Sequence, residues 1–140
     1  PLMIRVPGVQ PRPVSLRTSL IDIVPTILDL AGIDVRDSAR LSMAPRGQSL
    51  VPAFLGIKRD QNPIYAESPQ SRGQPKQWAW IDGATKLHFD GSDTKWRVFD
   101  VTRDPDEQND LAAERPVLMQ KLKSGMTRFR SKLNLRPTRR

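Results

Sequence analysis

Cysteine is absent from this 140-residue sequence, and histidine occurs once, as His88. Without cysteine the chain has no disulfide scaffold, no thiolate-bound zinc or iron–sulfur cluster and no cysteine nucleophile. A single imidazole excludes any site that needs two histidines, and it excludes a Ser-His-Asp triad unless His88 itself is the base. The residues that commonly carry catalysis are therefore scarce.

The sequence also lacks a long hydrophobic run. No stretch approaches the roughly 18 to 20 consecutive apolar residues that cross a bilayer, so we predict no membrane span. The N-terminus has neither the basic region nor the apolar stretch of a signal peptide. Because the sequence begins with Pro1 rather than an initiator methionine, we expect it to be a segment of a longer polypeptide.

Positive charge is concentrated at the C-terminal end. The chain has 23 Lys and Arg against 15 Asp and Glu, and its last 20 residues include eight basic and no acidic side chains. Such a segment is either solvated or binds a polyanion such as nucleic acid, anionic lipid or sulfated polysaccharide. We favour a solvated basic tail at 136–140 over nucleic-acid binding. If the chain bound nucleic acid, its affinity would depend steeply on salt concentration, and this dependence would vanish when residues 132–140 are deleted.

Two regular elements are predicted near the N-terminus. The apolar, β-prone run Leu2–Val6 is typical of a buried strand. Pro25 is better placed in the first turn of a helix than in its interior, so we predict a tight turn at 20–24 and a helix at 24–31. Gly32 is expected to end this helix in the left-handed conformation.

Less regular structure is expected after this helix. Residues 34–46 are polar and show no period, which predicts a loop. Residues 47–56 form a short apolar segment bracketed by glycines and interrupted by Pro52. They predict one or two helical turns.

Residues 63–101 predict a small antiparallel sheet. β-prone runs at 63–67 and 95–101 flank two more, at 77–81 and 84–90, which Asp82-Gly83 joins. This dipeptide favours a two-residue type I′ turn, so the central pair is predicted to be a hairpin. Three or four strands are therefore expected.

An amphipathic helix is predicted to follow from Pro116. Apolar residues recur at helical spacing on one of its faces: Leu118, Leu122, Met126, Phe129 and Leu133. We expect this face to cover the sheet. The resulting fold class is α+β.

Three features of the sheet region permit a ligand interpretation as well as a structural one. Alternation places His88 on the opposite face from Leu87 and Phe89, so we interpret it as a surface residue of its strand. For the tryptophans we favour a core role over a stacking platform for sugars or bases: Trp78, Trp80 and Trp96. For the acidic cluster we favour turn and capping roles over calcium, because its spacing is not that of an EF-hand: Asp100, Asp104, Asp106, Glu107 and Asp110.

The loop at 68–76 is the strongest candidate for ligand contact. It is polar and longer than a hairpin requires. Arg72 and Lys76 place donors there for an anionic substrate, and arginine has the bidentate geometry suited to sulfate or phosphate oxygens. Arg72 and Lys76 are thus candidates for the rim of a substrate site, although we favour a mobile solvated loop as the interpretation of this segment.

Several strings resemble, in order and spacing, the C-terminal part of the sulfatases, a branch of the alkaline phosphatase superfamily. They extend over about residues 1–118 and read PLMIRVPGV, SLIDIVPTILDLAGI, GQSLVPAFLG, IYAE, IDGATKLHF and VFDVTRDPDEQNDLA. The resemblance implies that 1–60 is the end of an α/β sulfatase core, with an edge strand and a packed helix. It implies that 61–135 is the C-terminal antiparallel-sheet subdomain with its helix.

The resemblance also implies how the chemistry is divided. Sulfatases hydrolyse sulfate esters with a formylglycine made from Cys or Ser in a C/S-x-P-x-R motif and with Ca²⁺. This sequence lacks that motif, so we expect no catalytic or metal residue here and expect both groups in an upstream part. The segment is then inactive alone and shapes the cleft for a sulfated substrate. Family habit implies a periplasmic or extracellular location.

Two further alternatives stay open. A sibling phosphonate or phosphodiester hydrolase of the same superfamily has the same C-terminal architecture and differs only upstream. A non-enzymatic module that binds a partner through the hydrophobic helix or the basic tail is the second.

Overall fold

The computed structural model describes residues 2–34, 47–58, 60–71 and 73–133. The chain divides into two compact units, Pro1–Gln61 and Asn62–Arg140. Nearly all of the predicted loop at 34–46 and the whole tail at 136–140 lie outside the described residues. Within the described ranges, no helix has both the length and the apolar character that a membrane span requires.

The first unit contains two short helices. A turn of 3-10 helix, Leu20–Asp22, leads into helix α1, Ile23–Leu30, and helix α2 covers Val51–Phe54. The predicted tight turn and helix are confirmed. The one or two helical turns expected within 47–56 are also confirmed, as the single turn of α2. Gly32 follows α1 with a φ of +72°, so it occupies the left-handed region as predicted.

Polar side chains join α1 to the residues before α2. The hydroxyl of Thr26, a residue only 2% exposed, donates to the carbonyl oxygen of Asp22 and accepts the backbone N–H of Leu50 at 2.9 Å. Gly47 lies so close to Ile21 that a Cβ at this position would come within 2.0 Å of the Ile21 carbonyl oxygen. Glycine is therefore required there by close backbone approach.

The strand predicted at Leu2–Val6 is wrong for this structure. These residues have no regular secondary structure, and the strand pairings found in the described residues all involve later segments. A strand forms only where a neighbouring strand accepts and donates its backbone hydrogen bonds. Met3 is 92% exposed, so the apolar character that predicted the strand is not buried here.

The second unit is a four-stranded antiparallel sheet with a helix. Its strands are β1 (Ile64–Ser68), β2 (Gln77–Asp82), β3 (Thr85–Asp90) and β4 (Lys95–Asp100), in the order β1-β2-β3-β4. Helix α3, Pro116–Lys132, follows. The predicted sheet, its hairpin and its C-terminal helix are confirmed.

The hairpin turn between β2 and β3 lies one residue later than predicted. Asp82 pairs with Thr85, so the two-residue loop is Gly83-Ala84 rather than Asp82-Gly83. Gly83 has a φ of +55°, whereas Ala84 has no positive φ. A type I′ turn needs positive φ at both positions, so the predicted turn type is wrong. The observed pattern, with glycine first, is the one that type II′ requires.

The core of the second unit lies between the sheet and α3. Trp80, Leu87 and Val98 are neighbours in register across β2, β3 and β4, and they pack with Leu122 and Met126 of the helix. Leu87 and Val98 are fully buried. The apolar helix face thus covers the sheet as its spacing predicted.

Candidate functional site

A row of aromatic side chains runs beside this core on the helix-covered face of the sheet. Trp78, Phe89 and Trp96 face one another across β2, β3 and β4 and are half-buried. The ring centroids of Trp78 and Phe89 are 4.9 Å apart, and those of Phe89 and Trp96 are 4.8 Å apart. We call these three residues the aromatic row. Trp78 and Trp96 pack against the core cluster that contains Trp80, which confirms the core interpretation of the tryptophans.

Three cationic side chains lie over the aromatic row. The Nζ of Lys76 is 4.5 Å from the Trp78 ring centroid, and the Cζ of Arg130 is 4.2 Å from the same ring. The Nζ of Lys123 is 4.8 Å from the Trp96 ring. Ring quadrupoles attract cations at such distances. The row therefore holds positive charge along one side of the sheet.

One carboxylate, that of Glu67, lies among these cations. It is in register with Trp78, its Oε1 is 3.7 Å from the Nζ of Lys76, and its other oxygen accepts a hydrogen bond from the Tyr65 hydroxyl. Burial alone would raise the pKa of Glu67, but the Tyr65 hydrogen bond and the charges of Arg130 and Lys76 lower it below the ordinary value. Glu67 is therefore an anion at neutral pH.

Tyr65 completes this group. Burial, together with the hydrogen bond and the negative charge of Glu67, raises the pKa of the Tyr65 phenol far above its ordinary value. The arrangement is thus a protonated phenol, one carboxylate and three cations around stacked rings. Chemically, the cations of this group suit contact with an anionic group.

Of the two residues predicted at the substrate rim, the structure describes Lys76 but not Arg72. Lys76 lies at the edge of the aromatic row with its side chain 41% exposed, so its ammonium group reaches solvent. Arg72 lies outside the described residues. On either side of it, Ser71 and Gln74 form an isolated antiparallel bridge. Substrate contact by Arg72 and Lys76 stays a prediction.

Sequence reasoning did not find Arg130, Lys123 or Glu67. Arg130 and Lys123 are separated from Lys76 by about fifty residues, and only the crossing of α3 over the sheet brings them together. Glu67 had a detectable signal, because period-two alternation places it on the same face of β1 as Tyr65.

His88 lies on the other face of the sheet, as predicted. It is in register with Arg97 of β4, and Lys86 precedes it on the same face. Burial, and then the positive charge of Lys86, lower the pKa of His88 below its ordinary value. Both neighbouring cations are already paired: Lys86 contacts Glu107 at 2.7 Å and Arg97 contacts Asp93.

The acidic cluster forms turns and caps, which confirms the favoured interpretation. Asp104 accepts the backbone N–H groups of Gln108 at 3.1 Å and Asn109 at 2.8 Å. Asp110 accepts the backbone N–H groups of Val98 at 3.0 Å and Ala112 at 2.9 Å. It therefore fixes the segment that contains the acidic cluster to β4. In the described ranges, no group of three or more His, Cys, Asp or Glu side chains is arranged to hold a metal ion.

Comparison with curated proteins identifies relatives of one class. Arylsulfatase K of Gallus gallus is 30% identical in an alignment 138 positions long, and this alignment covers 87% of this chain and 24% of the relative. Choline-sulfatase of Rhizobium meliloti (strain 1021) is 33% identical over 112 residues, which cover 80% of this chain and 21% of the relative. The chain is a sulfatase homologue. No protein-family model matches it.

Solved structures share the fold of this sulfatase homologue. A protein of Bacteroides thetaiotaomicron VPI-5482 that is assigned as a sulfatase aligns with a TM-score of 0.66 at 19% identity, over 79% of this chain and 24% of its own. A second structure, solved with its substrate D-glucosamine-2-N,6-O-disulfate, aligns with a TM-score of 0.63 at 22% identity, over 81% and 24%. At these identities the likeness concerns the fold.

The sulfatase homologue spans about a quarter or less of the length of its curated relatives, namely 24% and 21% of the two named above. This partial coverage is consistent with a C-terminal sulfatase segment, and the four-stranded sheet with its helix matches the fold of the C-terminal subdomain in the sulfatase structures.

Proposed function

We propose that this chain serves as the C-terminal part of a sulfatase that hydrolyses sulfate esters, with a structural and cleft-shaping role and no catalytic residue of its own. The observation that carries the proposal is the alignment with arylsulfatase K, which uses 87% of this chain but only 24% of the relative. The expected remainder of the enzyme is therefore about three times as long as this chain.

The exposed apolar surface of the first unit supports the structural role. Met3 is 92% exposed and Leu20 is 83% exposed, and a groove of about 960 Å³ runs along residues 2–18. Of the large apolar side chains exposed in the described ranges, all but Val117 belong to this unit. Surfaces of this kind are covered in native proteins. The proposed cover is the catalytic part of the sulfatase.

The chain's own residues do not suit the groups that perform sulfatase chemistry. No C/S-x-P-x-R motif is present, so no residue here is a precursor of formylglycine. In the acidic cluster, Asp104 and Asp110 accept backbone N–H groups, and Glu107 pairs with Lys86. We therefore assign formylglycine and Ca²⁺ to the remainder of the enzyme.

The cleft-shaping role is assigned to Lys76 and the loop that contains Arg72. Lys76 is partly exposed, and its ammonium is oriented by the Trp78 ring and by Glu67. An ammonium held in this way contributes to binding of a sulfate group without taking part in bond cleavage. Its replacement is therefore expected to raise KM and leave kcat unchanged.

The test starts from the native polypeptide. An antibody raised against residues 95–135 is used to detect and isolate it from the source organism, and hydrolysis of 4-nitrophenyl sulfate and 4-nitrophenyl phosphate is then assayed. We expect a band several times heavier than 15.8 kDa, preference for the sulfate ester and loss of activity with a Ca²⁺ chelator. The isolated 140-residue chain should be inactive.

Two results would contradict the proposal. A native band near 15.8 kDa leaves no catalytic part on the same chain, and faster hydrolysis of the phosphate ester favours the sibling phosphohydrolase class. For the rim residues, Lys76→Gln is compared with Lys95→Gln, an exposed lysine of β4. Equal KM values for the two variants would remove Lys76 from the substrate site.

A further inference from the structure

Helix α3 carries basic residues and no acidic residue. Its cations are Lys121, Lys123, Arg128, Arg130 and Lys132. Lys123 and Arg130 are engaged with the aromatic row. The other three are exposed, and in the part of the chain that the structure describes no ion pair involves them. We call Lys121, Arg128 and Lys132 the basic flank.

The basic flank is a continuous stripe. Spacings of seven and four residues place its members within about 40° of one another around the helix axis. From Lys121 to Lys132 the stripe is about 16 Å long, which exceeds the width of one sugar ring. The helix dipole accounts for a cation in the last turn, such as Lys132, but not for Lys121 about three turns earlier.

Apart from Pro116 and Val117 in its first turn, the rest of the exposed surface of α3 is polar and uncharged. It consists of Gln120, Ser124, Thr127 and Ser131, all exposed. Hydroxyl and amide groups of this kind hydrogen-bond to sugar hydroxyls. The apolar face of α3 is buried against the sheet, so the helix has no apolar face free to enter a lipid surface.

We propose that the basic flank binds a sulfated polysaccharide and holds a polymeric substrate on the C-terminal part of the enzyme. The ligand is a chain of sugar rings whose sulfate groups contact the three cations and whose hydroxyls contact the uncharged polar surface. The choice of a sulfated polymer over nucleic acid rests on the proposed sulfatase function. The multivalent contact itself rests on the exposure, spacing and unpaired state of the basic flank.

The experiment measures binding of heparin to the full chain as a function of NaCl concentration. The test variant is Lys121→Gln/Arg128→Gln/Lys132→Gln. The matched control is Lys95→Gln/Arg103→Gln/Arg115→Gln, which removes the same charge from exposed positions of the same unit. We expect the test variant to lower heparin affinity at least tenfold in 0.1 M NaCl and to reduce the slope of log K against log salt by about two to three. The control variant should change affinity less than threefold.

Three outcomes would overturn the inference. Equal losses in the two triple variants mean that heparin responds to net charge alone. Undiminished binding of chemically desulfated heparin means that sulfate groups are not recognised. Tighter binding of duplex DNA than of heparin at the same salt concentration assigns the stripe to nucleic acid. Far-UV circular dichroism of both variants verifies that α3 is intact.

The ester-hydrolysis assay of the native polypeptide separates this inference from the proposed function. If the native polypeptide hydrolyses sulfate esters but the basic flank does not bind heparin selectively, only the docking inference is wrong. If heparin binds through the basic flank but sulfate esters are not hydrolysed, the proposed function is wrong.

Discussion

The Oδ1 atom of Asp22 accepts the backbone N–H of Gln48 at 2.8 Å, across 26 residues of sequence. Its Oδ2 atom accepts the N–H of Ser19 at 2.9 Å, at the start of the turn that leads into α1. A carboxylate that is only 8% exposed thus caps this turn and ties it to the segment before α2. Two of the strings that carry the sulfatase resemblance are thereby joined to each other.

Asp22→Ala is expected to loosen the first unit. The substitution leaves the N–H groups of Ser19 and Gln48 without this acceptor. Because Ser19 is half-buried and Gln48 is exposed, we expect a cost below the roughly 1 to 3 kcal/mol of a fully buried group. Native-state hydrogen exchange should then show faster exchange of the Gln48 amide. Asp60→Ala, at an exposed position of the same unit, is the control. Unchanged protection of the Gln48 amide against exchange would contradict a stabilising hydrogen bond between Asp22 and Gln48.

Gly125→Ala is expected to stabilise the second unit. A Cβ at this position meets Trp80 at 3.5 Å, which is an ordinary van der Waals contact. Alanine in the interior of a helix is favoured over glycine by about 0.5 to 1 kcal/mol. Urea unfolding followed by tryptophan fluorescence should give a higher midpoint. A lower midpoint would mean that Trp80 cannot accommodate the added methyl group.

Tyr65 is the only tyrosine of the chain, so its ionisation is directly visible in ultraviolet absorbance. Because burial and Glu67 raise the pKa of its phenol above the ordinary 10.0, tyrosinate absorbance should be absent from the folded protein at pH 10. In guanidinium chloride the same phenol should ionise near its ordinary value.

The sign of the linked stability follows from this raised pKa. The raised pKa means that the protonated phenol contributes to folding stability. This stabilisation is fully present at pH values below the pKa of Tyr65 in the unfolded chain, and it is lost as pH rises through the pKa in the folded protein. Glu67→Gln should lower the pKa of Tyr65 in the folded protein, because it removes a negative charge next to the phenol. An unaltered titration in this variant would contradict the assigned cause.

His88 is the only histidine, so its proton magnetic resonance signal is unambiguous. Burial, and then the charge of Lys86, lower its pKa below 6.5 in the folded protein. The folded state therefore favours neutral imidazole, and stability falls as pH falls below 6.5 toward the lower, folded pKa. Lys86→Met should raise the pKa of His88, whereas Lys95→Met should leave it unchanged. Equal titration curves in the two variants would rule out the assigned role of Lys86.

Several elements were accessible to sequence reasoning because their signals are local. The spacing of Leu118, Leu122 and Met126 predicted the helix face that is buried, and alternation around Leu87 predicted the faces of β3. The hairpin turn was misplaced by one residue. Asp-Gly favours one turn type, but strand register decides which two residues remain unpaired.

The strand predicted at Leu2–Val6 failed for a different reason. Its composition is β-prone, but strand formation depends on a partner that composition cannot specify. In this structure the residues remain irregular and exposed.

The candidate site is formed by residues that are distant in sequence, so it was less accessible to sequence reasoning than the single helices and strands. Lys76 was found as a polar residue of a loop, but its position over Trp78, its pairing with Glu67 and its proximity to Arg130 follow from strand register and from the crossing of α3.

The sequence by itself determined the periodic elements, the absence of cysteine chemistry, the concentration of positive charge on α3 and the order of strings typical of sulfatases. These are properties of composition and short-range spacing, which act through local backbone preference and burial of one face. Only the tertiary structure decided that Lys76, Arg130 and Lys123 lie over one aromatic row and that Asp22 meets Gln48. Such contacts depend on strand register and on the packing of helices, which no local pattern encodes.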